Sequence, residues 1–109
     1  MNSYRDIERG YVLVPDIKLG NQWAKVLEEI EEVKEEIGVE ESGEMYFKRG
    51  GTLQNLVREL LDIKLATDNF INKLEDFYGK ETIKMACGSW DEKIEYYKEV
   101  KYGEHNCNS

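Results

Sequence analysis

The chain has 109 residues, 40% of them hydrophobic and 35% charged, which excludes a disordered polymer and fits one folded domain small enough to gain from oligomerisation. A net charge of −8 argues against nucleic-acid binding as the main activity, because a phosphate backbone demands a basic surface. No apolar run approaches the roughly 18 residues needed to cross a bilayer, and no signal-peptide pattern opens the chain, so a cytoplasmic protein without a membrane partner is expected.

In chain order, residues 1–20 read as an N-terminal arm. It holds a short extended apolar stretch, Tyr11-Val12-Leu13-Val14, ended by Pro15, the one proline. Asn21 is the expected N-cap of a first helix reaching Ile37, whose apolar residues Trp23, Val26, Ile30, Val33 and Ile37 recur at three- and four-residue spacing, with Gly38 as its stop. Residues 38–51 form a connection, with a short helical turn expected at Met45-Tyr46-Phe47 and a flexible pair at Gly50-Gly51. Thr52 then caps a long helix over 52–78, closed by Gly79. That helix is apolar nearly all round, through Leu53, Leu56, Val57, Leu60, Leu61, Ile63, Leu65, Phe70, Ile71 and Leu74, so it belongs at the centre of a bundle or in an oligomer interface. A short helix near 80–87, a break at Gly88-Ser89 and a last helix from Trp90 to Tyr102 complete the expectation. The fold class is therefore all-α: a helical bundle over residues 21–103 with a long central helix, followed by a flexible tail, 104–109. Its excess apolar surface implies a homodimer or homotetramer. Cys87 and Cys107 stand 20 residues apart with no CxxC partner and no neighbouring histidine, apart from His105 in the tail, so reduced thiols are expected rather than zinc or a disulfide.

Two polar patterns interrupt the apolar ones. The first helix contains Glu28-Glu29-Ile30-Glu31-Glu32, an EExxE pattern in which Glu29 and Glu32 share a flank of the apolar stripe with Lys25 and Glu36, while Glu28, Glu31 and Glu35 point to solvent. The long helix contains Glu59-Leu60-Leu61-Asp62, an ExxD pattern, and Asn55, Glu59, Asp62 and Asn69 form one polar strip on an otherwise apolar cylinder. A Glu-rich helix alone is ordinarily just a solvated face. Carboxylates inside a packed helix are costlier, and need a partner or a cation. Two such pairs on adjacent antiparallel helices would converge four carboxylates, an oxygen-only ligand set that suits Mg²⁺, or Mn²⁺, better than zinc.

EExxE followed by ExxD, with 26 residues between Glu32 and Glu59, resembles the MazG-like, all-α nucleoside triphosphate pyrophosphatase superfamily. The resemblance covers residues 20–75 and extends more loosely to about 102. It implies hydrolysis of a nucleoside triphosphate between the α- and β-phosphates, giving monophosphate and pyrophosphate. Carried onto this chain, it makes Glu29, Glu32, Glu59 and Asp62 the metal ligands, with Glu28 as a supporting catalytic acid and Glu29 or Glu32 as the acceptor of the water's proton. The later lysine of the family, which approaches the phosphates, matches Lys93. Its asparagine falls at Tyr96 or Tyr97, a departure that bears on substrate choice and activity. Lys48 and Arg49 are further candidates for the triphosphate, Asn55 and Asn69 for substrate contact, and Trp23, Tyr46, Phe47 and Trp90 for stacking on a base, although solvated loop charges and core aromatics are the ordinary readings of such residues. A di-iron carboxylate bundle is excluded because it requires Glu-x-x-His pairs, and His105 lies outside the helices. Two rivals remain: a descendant that binds metal or nucleotide without turnover, and an acidic helical interaction module.

Overall fold

The computed structural model describes residues 3–9 and 16–102. It is mostly helical. The expected extended stretch Tyr11–Val14, the tail beyond residue 103, His105 and Cys107 lie outside the described residues. In order come α1 (Ser3–Asp6), α2 (Leu19–Glu36), β1 (Ile37–Val39), β2 (Met45–Phe47), α3 (Leu53–Tyr78) and α4 (Lys80–Tyr97), the last continuing into a π-helical turn at Lys98–Tyr102. None of the helices is long and apolar enough to cross a membrane.

The helix α2 starts two residues before the expected Asn21. Lys18 occupies the N-cap position in extended backbone, and its carbonyl accepts the Gln22 N–H at 2.9 Å. Asn21 thus falls inside the first turn. At the other end Ile37 leaves helical geometry (φ −133°, ψ 158°), and the chain enters a β-hairpin where a loop with a helical turn was expected. The register pairs Ile37 with Phe47, Gly38 with Tyr46 and Val39 with Met45. β-Branched and aromatic residues on both arms favour the pleated form. The turn closes through the Gly43 N–H on the Glu40 carbonyl, 2.9 Å, with Gly43 at φ 91°. Gly38 is not a helix stop here; it makes room for its cross-strand partner, since a Cβ at that position would collide with the Tyr46 ring.

A tight turn follows, in which the Gly51 N–H donates to the Lys48 carbonyl at 2.8 Å and Gly50 takes φ 84°. The expected caps of the long helix are both present. Thr52 Oγ1 accepts the Asn55 N–H at 3.1 Å, and Gly79 ends α3 at φ 98° with its N–H on the Glu75 carbonyl. The expected break at Gly88-Ser89 is absent: α4 runs straight through both residues. One glycine inside a helix costs about 1 kcal/mol relative to alanine, less than opening the hydrogen-bond ladder on both sides of it.

The helices α2 and α3 pack along their length, and α3 also meets α4, which places the long helix centrally, as expected. The α1 turn sits between α3 and α4. Ser3 donates its N–H to the Asp91 carboxylate at 3.2 Å and its hydroxyl to the Cys87 carbonyl at 2.9 Å; the Glu8 N–H reaches Asp68 Oδ2, and Arg9 pairs with Glu75 at 2.7 Å while lying over the Tyr4 ring. Among the described residues only Ile7, Val26, Leu56 and Ala66 are buried apolar groups, whereas Leu53, Val57, Leu60 and Leu61 of α3 remain 45–65% exposed. The single chain leaves much of its apolar surface in water.

Candidate metal centre

The i, i+3 spacing puts Glu29 and Glu32 on one face of α2, and Glu59 and Asp62 on one face of α3. Because the two helices pack side by side, the faces meet. One carboxylate oxygen from each of the four residues lies within 4.8 Å of the other three. Opposite oxygens around an octahedral Mg²⁺ stand about 4.2 Å apart, twice a metal–oxygen distance of about 2.1 Å, so a modest contraction of this cage suffices to fit a small hard cation. Glu29, Glu32 and Glu59 are half-buried and Asp62 forms the exposed lip.

The electrostatics of the cage are unbalanced. Glu29 Oε2 and Glu59 Oε2 are both buried with no hydrogen-bond partner. The hydrogen bond that the neutral Glu59 carboxyl donates to Glu32, followed by burial and by the charges of Glu32, Asp62 and Glu29, pushes Glu59 up to about 7. Burial first, then Glu32 and Asp62, raises Glu29 as well, with Lys25 opposing. Buried oxygens without a donor, on acids that resist ionisation because other acids surround them, are what a divalent cation would relieve.

The other expected site residues divide. Asn55 shares the strip one turn before Glu59 and is exposed. Arg49 is exposed at the turn after the hairpin. The Glu28 carboxylate is not in the cage; it lies on the solvated side of α2, 3.6 Å from Lys25, as the EExxE geometry implies for that position. Lys48 does not reach toward the acids either. Its ammonium donates to the Lys34 carbonyl at 2.6 Å, where a cation satisfies an orphan acceptor in the last turn of α2. Asn69 is 1% exposed and donates Nδ2 to the Leu65 carbonyl, which places it inside the protein rather than on a substrate surface. Trp23 is half exposed, with its ring 5.9 Å from that of Phe70, two turns before the cage. Lys93 sits on α4, with its ammonium 5.8 Å from the Tyr97 ring, and α4 packs on α1 and α3, whereas the four acids stand on α2 and α3. Tyr96 and Tyr97 stack edge to face at 6.0 Å. Tyr46 and Phe47 stand exposed on the hairpin, and Trp90 lines a cavity of about 540 Å³ between α1, α3 and α4 with Ile7, Ile71 and Cys87, the last a free thiol.

Two residues near the cage take roles that the sequence does not assign: Gln22, and Glu36, which it places only on the flank shared with Glu29 and Glu32. Gln22, 2% exposed, donates Nε2 to the Ala66 carbonyl across the α2–α3 interface at 3.1 Å, and Glu36 Oε1 accepts the Thr52 N–H at 2.9 Å. Their helical spacing was a usable signal: Gln22 lies seven residues before Glu29, and Glu36 four after Glu32. Comparison of the chain with protein-family models, with curated proteins and with solved structures finds no match in any of the three.

Proposed function

We propose that the chain is a Mg²⁺-dependent nucleoside triphosphate pyrophosphohydrolase of the MazG-like, all-α kind, converting a (d)NTP and water into the (d)NMP and pyrophosphate. The observation that carries this reading is the meeting of the two motif pairs: four carboxylates within 4.8 Å of one another, two of them with buried, unpartnered oxygens. Glu29, Glu32, Glu59 and Asp62 would hold the ion. Bound Mg²⁺ (or Mn²⁺) would supply charge neutralisation at phosphate oxygens and a more acidic water. The chain's own part is to place and discharge protons. Glu32 stands between Glu29 and Glu59, in hydrogen-bonding reach of both, so a proton taken from water by Glu29 or Glu32 has neighbouring carboxyls to share it. Asp62, at the lip, faces the side from which a triphosphate would enter, and Asn55 and Arg49 stand on the same end of the helix pair.

The working form is a homodimer or homotetramer. The exposed stripe Leu53, Val57, Leu60 and Leu61 lies on the face of α3 turned away from Glu59, Asp62 and α2, so a second copy would cover the outer side of the long helix and leave the cage to α2 and α3.

A binding-only descendant is the second reading. It is favoured by the placing of Lys93 on α4, off the two helices that carry the acids, and by the tyrosines at 96 and 97 where the resembled family has asparagine. Pyrophosphate release from a panel of NTPs and dNTPs, with and without Mg²⁺, separates the two. Metal-dependent release by the wild type and none by Glu59→Gln is the expected result. No release with any nucleotide, alongside Mg²⁺ protection against thermal unfolding that Glu59→Gln lacks, favours binding without turnover. Neither release nor protection sinks both readings in favour of an acidic interaction module.

A further inference from the structure

We infer that Glu36 is a positioning residue of the carboxylate cage: by accepting the Thr52 backbone N–H it sets the axial register of α3 against α2, and so holds Glu59 and Asp62 opposite Glu29 and Glu32. The inference rests on the metal-site reading above.

Glu36 is the last residue of α2, one turn past Glu32 and two past Glu29, and therefore on the same face as both. Thr52 is the N-cap of α3, and Asn55, Glu59 and Asp62 follow it along a single face. The 2.9 Å bond between Glu36 Oε1 and the Thr52 N–H is thus the next rung beyond the cage, joining the end of one ligand helix to the start of the other. Gln22 forms the opposite rung, through the Ala66 carbonyl at 3.1 Å.

Directional pins are needed at this interface. Apolar burial resists separation of two helices but is indifferent to small axial sliding, since it carries no direction. The four acids repel one another, so without a cation the cage itself drives the helices apart. A slip of one turn, about 5.4 Å, would scatter the ligands entirely. The corner around Glu36 is braced against such movement. The Lys48 N–H donates to the Glu36 carbonyl at 2.9 Å, and a Cβ on Gly51 would come within 2.6 Å of that same carbonyl oxygen, so only glycine lets the chain turn closely enough for Thr52 to meet Glu36. The bond from the Glu36 side-chain oxygen to the backbone amide is directional, so it resists the sliding that apolar packing permits.

Mn²⁺ alone is the probe, titrated into the full chain and followed by the electron paramagnetic resonance signal of free Mn²⁺, for the wild type, Glu36→Gln, Glu36→Asp, Glu36→Ala and Glu59→Gln. Glutamine keeps an acceptor oxygen at the same reach without charge; aspartate keeps the charge one methylene short. Positioning through the Thr52 bond predicts Glu36→Gln within about threefold of wild type, and Glu36→Asp and Glu36→Ala weaker by about 10- to 100-fold, the range typical of lost supporting contacts around metal ligands. A circular-dichroism melt of each metal-free variant keeps the comparison among folded proteins, and should Glu36→Ala fail to fold, the Gln–Asp contrast still decides. The reverse order, with Asp near wild type and Gln as weak as Ala, would mean that the charge acts rather than the bond and overturns the inference, as does equal binding by all Glu36 variants. Absence of Mn²⁺ binding by the wild type removes the metal site itself and this role with it; binding lost in Glu59→Gln but untouched at position 36 removes this role alone.

Discussion

Glu59 alters the proton balance of folding. The unfolded chain ionises this carboxyl near its ordinary value of 4.5, whereas the folded, metal-free protein does so at about 7. Below about pH 4.5 both states hold the proton and its stabilising effect is complete. Between 4.5 and 7 the folded state keeps a proton that the unfolded state has released, so stability falls as pH rises and levels off above 7. In EDTA the melting temperature contributed by this group should therefore drop between pH 5 and pH 8, and the drop should shrink in Glu59→Gln, a near-isosteric change that removes one charge from the cage. The same variant should melt a few degrees above wild type at pH 8 without metal, and gain nothing from Mg²⁺. A wild type whose melting is flat across this range, in the same buffers as the variant, would argue that the acids are solvated independently of each other. Metal affinity runs the other way with pH. Below pH 7 each unit should weaken Mg²⁺ binding by roughly tenfold if one proton is displaced, which isothermal titration at pH 6 and 7 would read directly.

The uninterrupted α4 makes a second kind of prediction. Gly88 is exposed and a Cβ there meets nothing within 4 Å, so Gly88→Ala should stabilise the protein by about 0.5–1 kcal/mol, measured in urea. Gly79, at φ 98° and ψ 160°, is the opposite case: Gly79→Ala should cost about 1–3 kcal/mol, since that backbone region excludes side chains. These two glycines also mark where the sequence could and could not be read. Thr52 and Gly79 were readable as the ends of α3 because capping chemistry is local. The β-hairpin was not, because Ile37 extends the three- and four-residue apolar spacing of α2 and arms of three residues are too short to show alternation. Gly88-Ser89 suggested a break that helix-favouring neighbours override. The four cage acids could be found because each pair needs only a spacing of three. The spacing of Gln22 puts it on the cage face, but its partner, like those of Lys48 and Asn69, could not be assigned, since partners depend on how α2, α3 and the hairpin align, and alignment is set by packing.

The shortage of buried apolar groups belongs to the chain as a whole. Four buried apolar side chains among the described residues make a thin core, and the exposed stripe on α3 is apolar area still to be covered. Replacing both Leu60 and Leu61 by glutamate should shift the sedimentation coefficient from that of a dimer or tetramer to that of a single chain; a wild type already sedimenting as one chain would remove the assembly from the proposal. The docking of α1 has a kinetic consequence. The partners of Ser3 lie 84 and 88 residues further along the chain, so its contacts close almost the entire polypeptide into a loop and can form only after α3 and α4 are in place. Contacts that arrive last are absent at the folding barrier. Ile7→Ala, which opens the buried end of this strap at a cost of about 2 kcal/mol, should thus accelerate unfolding by roughly 30-fold in a chevron analysis while leaving the refolding limb where it was. The lifetime of the folded state, rather than the speed of reaching it, is governed by its first few residues.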